Sequence, residues 1–80
     1  MKPHEALGEV LKDLSISFGD GLAARIVMSA RNDTQAPIIG LDKAKYTELV
    51  QALCKDHRVV GMLGELGARE RTTHWERLVS

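Results

Sequence analysis

Cysteine occurs once, at Cys54, so no disulfide can form within the chain. A chain of 80 residues buries only a modest share of its unfolded surface. Scaffolds of this size are usually held by disulfides, a metal, a partner or very good packing. With the first of these excluded, self-association is a ready way to gain buried area. Aromatic residues are nearly absent: Phe18, Tyr46 and Trp75 are the only three, so the core must be aliphatic. An excess of either charge is missing too. Lys and Arg total 11, Asp and Glu total 11, and the formal net charge is zero. That balance does not suit a protein that holds nucleic acid by a broad positive field. No apolar run approaches the ~20 residues of a membrane span. The opening MKPHEALGEVLKDL has no uninterrupted apolar core, and we expect no signal peptide there. The lone thiol fits a reducing cytoplasm.

What is present describes a globular chain. Apolar residues make up 44% and charged residues 28%, unlike a disordered segment. We expect a single domain spanning residues 1–80, mainly α-helical, built as a small bundle of four to five short helices.

The first helix is expected from about His4 to Leu14. Pro3 suits a first helical turn, and Leu7, Val10, Leu11, Leu14 and Phe18 recur at helical spacing. Ser15–Phe18 alternates and could form a short strand. Gly19-Asp20-Gly21 is a break, with Asp20 as an N-cap. A second helix over about Gly21–Ala30 follows. Its rival is a strand through Arg25–Ser29, and helix versus strand stays open at Ile26–Ser29. Asn32–Gly40 reads as a loop in which Ile38 and Ile39 plug the core or extend.

Asp42 caps a third helix, in which Tyr46, Leu49, Val50, Leu53 and His57 share a face. Leu41 before it is placed to staple to Tyr46. A break near Asp56-His57 precedes the apolar group Val59, Val60, Met62, Leu63 and Leu66, with Gly67 as the C-cap. Thr73–Glu76 fits a capping box that opens a last short helix, while Thr72–Val79 also fits a strand. The expected core joins Leu7, Val10, Leu11, Leu14, Ile26, Leu49, Val50, Leu53, Val60, Leu63 and Leu66, closed by Trp75.

No diagnostic catalytic, metal or nucleotide motif is present. Gly61, Gly64 and Gly67 form G-x-x-G-x-x-G, which lacks the spacing of the dinucleotide fingerprint and the Gly-Lys-Ser/Thr of a phosphate loop. They read as a kink, a terminus or a place of close helix contact. Cys54 and His57 are three apart and could share a metal, but zinc needs three or four ligands, and His4 and His74 lie at the chain ends. The same pair is a poor nucleophile and base, since no oxyanion loop adjoins it. Cys54 as a small hydrophobe, with His57 at a helix end that welcomes a cation, is the plainer account. We therefore expect no cofactor and no metal.

Arg58, Arg69, Arg71 and Arg77 concentrate in the C-terminal half with Trp75, diluted by Glu65, Glu70 and Glu76. Helix, helix, then a C-terminal hairpin is the element order of a winged helix-turn-helix, which would make the chain a small α+β nucleic-acid-binding regulator. Its second helix, Val59–Gly64, is apolar, whereas a recognition helix is polar and basic. The leading expectation is a non-catalytic interaction or regulatory module, cytoplasmic and self-associating. It would present the face Val59, Val60, Gly61, Met62, Leu63, Gly64 and Leu66 to a protein partner or a second copy. A metal- or thiol-dependent protein using Cys54 and His57 is the remaining alternative.

Overall fold

In the computed structural model, which describes residues 1–37 and 39–80, four helices follow one another with no strand among the described residues. They are α1 (Pro3–Phe18), α2 (Asp20–Thr34), α3 (Lys43–Lys55) and α4 (His57–Arg77). The protein is a small helical bundle. The winged-helix alternative falls with its hairpin, because the chain is helical up to Arg77. No helix of the described residues is long and apolar enough to cross a membrane.

α1 starts at Pro3, and the Lys2 backbone N–H is taken up by Glu5 Oε1 at 3.1 Å. Ala6, Val10 and Leu14, four apart, form its buried stripe. Helical geometry runs on through Ser15–Phe18, so the short strand weighed there does not form. What stops α1 is Gly19, at φ 81 and ψ 160, a conformation essentially restricted to glycine. Gly19 is also the N-cap of α2, which makes Asp20 the first helical residue rather than the cap. One residue thus turns the chain from α1 into α2.

α2 settles Ile26–Ser29 as helix and extends four residues beyond the expected end at Ala30, absorbing the start of the predicted loop. Its buried face is Ala23, Ile26, Val27 and Ala30. Gln35, at φ 56, ends it in the left-handed conformation. Lys45 Nζ donates to the Thr34 carbonyl at 3.1 Å, placing a cation on the open end of α2. Ile39 does not plug the core, being 89% exposed. Ile38 lies outside the described residues.

Asp42 caps α3 as expected, accepting from the Lys45 N–H at 2.8 Å. Tyr46, Leu49, Val50 and Leu53 are its buried face. The break at Asp56 is also as expected. Asp56 closes α3 and opens α4, accepting from the Arg58 N–H at 2.8 Å while its second oxygen holds the Arg58 guanidinium.

α4 departs from the sequence reading in two places. Gly67 lies within the helix and is not a C-cap. The interruption is at Gly64, with φ 77 and ψ 164, nearly the geometry of Gly19. We call the two parts α4a (57–63) and α4b (65–77). The Thr73 capping box does not form either, because Thr73 sits mid-helix and its hydroxyl donates to the Arg69 carbonyl at 3.0 Å.

The core joins all four helices: Val10, Leu14, Ile26, Leu49, Val50 and Leu53 with Tyr46, Val59 and Trp75, and the alanines 6, 23, 30, 36 and 68 between them. Leu7, Val60 and Leu63 pack at its edge. Leu11 and Leu66, assigned to the core by periodicity, are instead exposed, Leu66 by 69%.

A polar lock crosses this apolar core at Trp75. Its indole N–H donates to Asp13 Oδ2 at 2.9 Å, and Arg71, one turn earlier, donates to Asp13 Oδ1 at 2.6 Å. The Tyr46 hydroxyl donates to the Trp75 carbonyl at 2.7 Å. The same carbonyl accepts from the Leu78 N–H at 3.2 Å, so the Tyr46 hydroxyl is its second donor and ties α3 to the last turn of α4. Burial, with Glu76 adding to it, pushes Tyr46 up to about 12. Partial burial acts to raise the Asp13 pKa, but the hydrogen bonds from Arg71 and Trp75 and the charge of Arg71 together hold it below its ordinary value.

Tyr46→Phe is expected to destabilise the protein by about 1 kcal/mol in urea denaturation, the usual net worth of one buried hydrogen bond. The depressed pKa of Asp13 sets an acid limb of stability. Its contribution is present in full above the unfolded value near 3.8 and is lost as pH falls through the lower folded value. Denaturation midpoints measured from pH 6 down to about pH 2 should fall more shallowly for Asp13→Asn than for the wild type.

Candidate functional site

α3 and α4b lie antiparallel, Tyr46 near the start of α3 meeting Trp75 near the end of α4b, and α4a follows α3 directly after Asp56. The Tyr46–Trp75 bond fixes one end of the pair. Toward the other end a cleft of about 340 Å³ is bordered by Gln51, Cys54 and Lys55 of α3 and by Arg69, Thr72, Thr73 and Glu76 of α4b. It continues into a second hollow of about 490 Å³ where the chain bends. There Cys54, Lys55 and Arg69 are joined by His57 and Val60 of α4a and by Glu65. Cys54, Lys55 and Arg69 thus belong to both hollows.

Cys54 and His57 therefore border one hollow, but not as a pair on one helix. Asp56 separates them, so His57 opens α4 instead of closing α3. Its place at a helix end welcoming a cation is corrected accordingly. Cys54 is half-buried and packs against the core. Among the described residues no three His, Cys, Asp or Glu side chains are grouped to hold a metal ion. The cleft carries Lys55 and Arg69 against Glu65 and Glu76, two charges of each sign, and so attracts neither anions nor cations strongly.

The four arginines are dispersed. Arg58 is bound by Asp56, with Nη2 to Oδ2 at 2.8 Å, and Arg71 by Asp13 on α1. The Arg58 hydrogen bonds outweigh burial and hold the Asp56 pKa below its ordinary value. Arg69 and Arg77 are exposed and form no ion pair among the described residues. Two of the four are thus committed to the fold.

The apolar face divides at the bend. Val59 points into the core, 1% exposed, and is not available to a partner. Val60 and Leu63 are half-buried, while Met62 is 55% and Leu66 69% exposed. Gly61 and Gly64 are exposed between them, and a methyl group added at either would meet nothing within 4 Å. No other helix approaches them, which removes close contact within the chain as their reason. Gly64 is required by its positive φ; nothing in the structure explains Gly61.

Asp13 and Tyr46 were not singled out as polar partners of α4. Arg71 and Trp75 lie one helical turn apart, a signal that they share a face. Nothing local identifies Asp13, 62 residues from Trp75, as what that face meets.

Compared with known proteins, the chain matches no family model, no curated protein and no solved structure.

Cys54, His57 and Glu65 border the hollow but are not grouped closely enough to hold an ion, so we expect added zinc to leave the thermal midpoint unchanged. Cys54→Ala should change stability by no more than about 1–2 kcal/mol, the loss of a small partly buried side chain. Zinc-dependent stabilisation abolished by Cys54→Ala would contradict both statements, and a thermal melt with and without the metal measures it.

Proposed function

We propose that this chain is a non-catalytic interaction module that pairs with a second copy of itself through the apolar surface at the bend of α4. The observation that carries the reading is the exposure of Met62 and Leu66 on either side of Gly64. Single exposed apolar residues are ordinary on protein surfaces. Here two large ones fall within five residues, beside two glycines that leave the backbone open and with Val60 and Leu63 half-buried behind them.

Three further features support a second copy as the partner. The net charge is zero, so two copies do not repel one another at long range. A domain of this size gains proportionally more than a large one from added buried surface. The lone cysteine provides no staple in place of that surface, and an unpaired thiol suits a reducing compartment such as the cytoplasm.

Sedimentation equilibrium across a wide concentration range tests the reading. A reversible monomer–dimer equilibrium is expected. Leu66→Glu, which would bury a carboxylate in the interface, should raise the dissociation constant by roughly tenfold or more, with unchanged helicity. A wild type that stays monomeric at every concentration would sink the proposal.

A further inference from the structure

α4 has 21 residues, and as one unbroken helix it would be about 31 Å long. The whole molecule measures 30 × 24 × 20 Å. A straight α4 would run the full long axis of the molecule, leaving α3 at the single residue Asp56 with no second turn to bring it back along α3. The bend at Gly64 is what returns α4b onto its own α3.

That bend depends on one residue. Gly64 takes φ 77 and ψ 164 without steric penalty, but glycine adopts ordinary helical angles as well. The residues on both sides favour helix: Met62 and Leu63 before it, Glu65, Leu66, Ala68, Arg69 and Glu70 after it. Rotation at Gly64 alone would join α4a and α4b into one helix and regain the helical hydrogen bonds the bend interrupts. It would also carry α4b, with Ala68, Thr72 and Trp75, away from Asp13 and Tyr46.

We infer that α4b exchanges between two copies of the chain, with Gly64 as the hinge. In the exchanged dimer each α4b packs on the α3 of the other copy. Every contact it makes in the monomer is remade there: Trp75 and Arg71 to Asp13, Tyr46 to the Trp75 carbonyl, Ala68 in the core. Opening regains the helical hydrogen bonds that the bend interrupts, and both copies recover the same closed interface, which together favour such exchange. The exposed Met62 and Leu66 flank the hinge and come together where the two straightened helices pass. This inference rests on the self-association reading above and specifies how the second copy is held.

The test uses two variants of the full chain in a Cys54→Ser background, one carrying Gln51→Cys and the other Thr73→Cys. These positions border the same cleft from α3 and α4b. The two are mixed at high concentration, partly unfolded, refolded together and oxidised. Exchange predicts a disulfide between positions 51 of one copy and 73 of the other that forms after co-refolding in clear excess over the same two variants folded separately, then mixed and oxidised at the same concentration. Gly64→Ala, which disfavours the bend and favours continuous helix, is expected to shift the monomer–dimer equilibrium toward dimer by roughly tenfold or more. A dimer weakened by Leu66→Glu that gives no such excess of 51–73 heterodisulfide overturns exchange and leaves the interaction face standing. Absence of any dimer in the wild type and after co-refolding overturns both. The co-refolding result decides the matter even where Gly64→Ala does not fold.

Discussion

Trp75 is joined to two other helices at once, through its indole N–H to Asp13 on α1 and through its carbonyl to Tyr46 on α3. The bundle's closure depends on this residue. α1, α2 and α3 pack in sequence, each against the next, and α4 must then return across them to finish the core. Apolar burial supplies the drive for that return but not its position, because aliphatic packing is non-directional. The two oxygens of Asp13 and the single donor of Tyr46 fix both the depth and the rotation of α4b. Each group is satisfied by another member of the set, so the polar atoms enter the core edge without an orphan among them.

Two glycines do the corresponding work for the backbone. Gly19 and Gly64 adopt nearly the same left-of-extended geometry, one between α1 and α2, the other inside α4. Each turns the chain through a single residue where an ordinary loop would use several. The economy has a consequence at Gly64. Helix-favouring residues run up to the bend from both sides, so local preference and tertiary placement oppose one another there. The same stretch exposes Met62 and Leu66. The proposed self-association and the inferred exchange both arise from this local conflict.

Most of the helical architecture is legible in the sequence. Asp42 as the cap of α3 and the break at Asp56 came from short-range chemistry, since a carboxylate accepting from the next turn's N–H involves only a few neighbouring residues. The apolar face of Tyr46, Leu49, Val50 and Leu53 came from spacing alone. Where the reading failed, several answers were locally acceptable. Gly67 and Gly64 are equally good helix enders by composition, and only the packing of Ala68 against the core chooses between them. Thr73–Glu76 has the residues of a capping box, yet Trp75 is drawn into the core by a helix already running. Ser15–Phe18 stays helical and Asp20 falls inside α2 because the break belongs to Gly19 alone.

Of the candidate site, the residue types were legible and their grouping was not. Cys54, His57 and Arg69 do meet at one hollow, but Arg58 and Arg71 are committed to carboxylates, one of them on a distant helix. The sequence by itself determined the mainly helical class, the Asp42 cap and the break at Asp56, because a helix is stabilised by bonds and periodic contacts within a few residues. Tertiary structure decided which apolar side chains stay exposed, which glycine bends α4, and which carboxylate receives Trp75. Those outcomes depend on groups brought together from opposite ends of the chain, and no local pattern encodes a distance of that length.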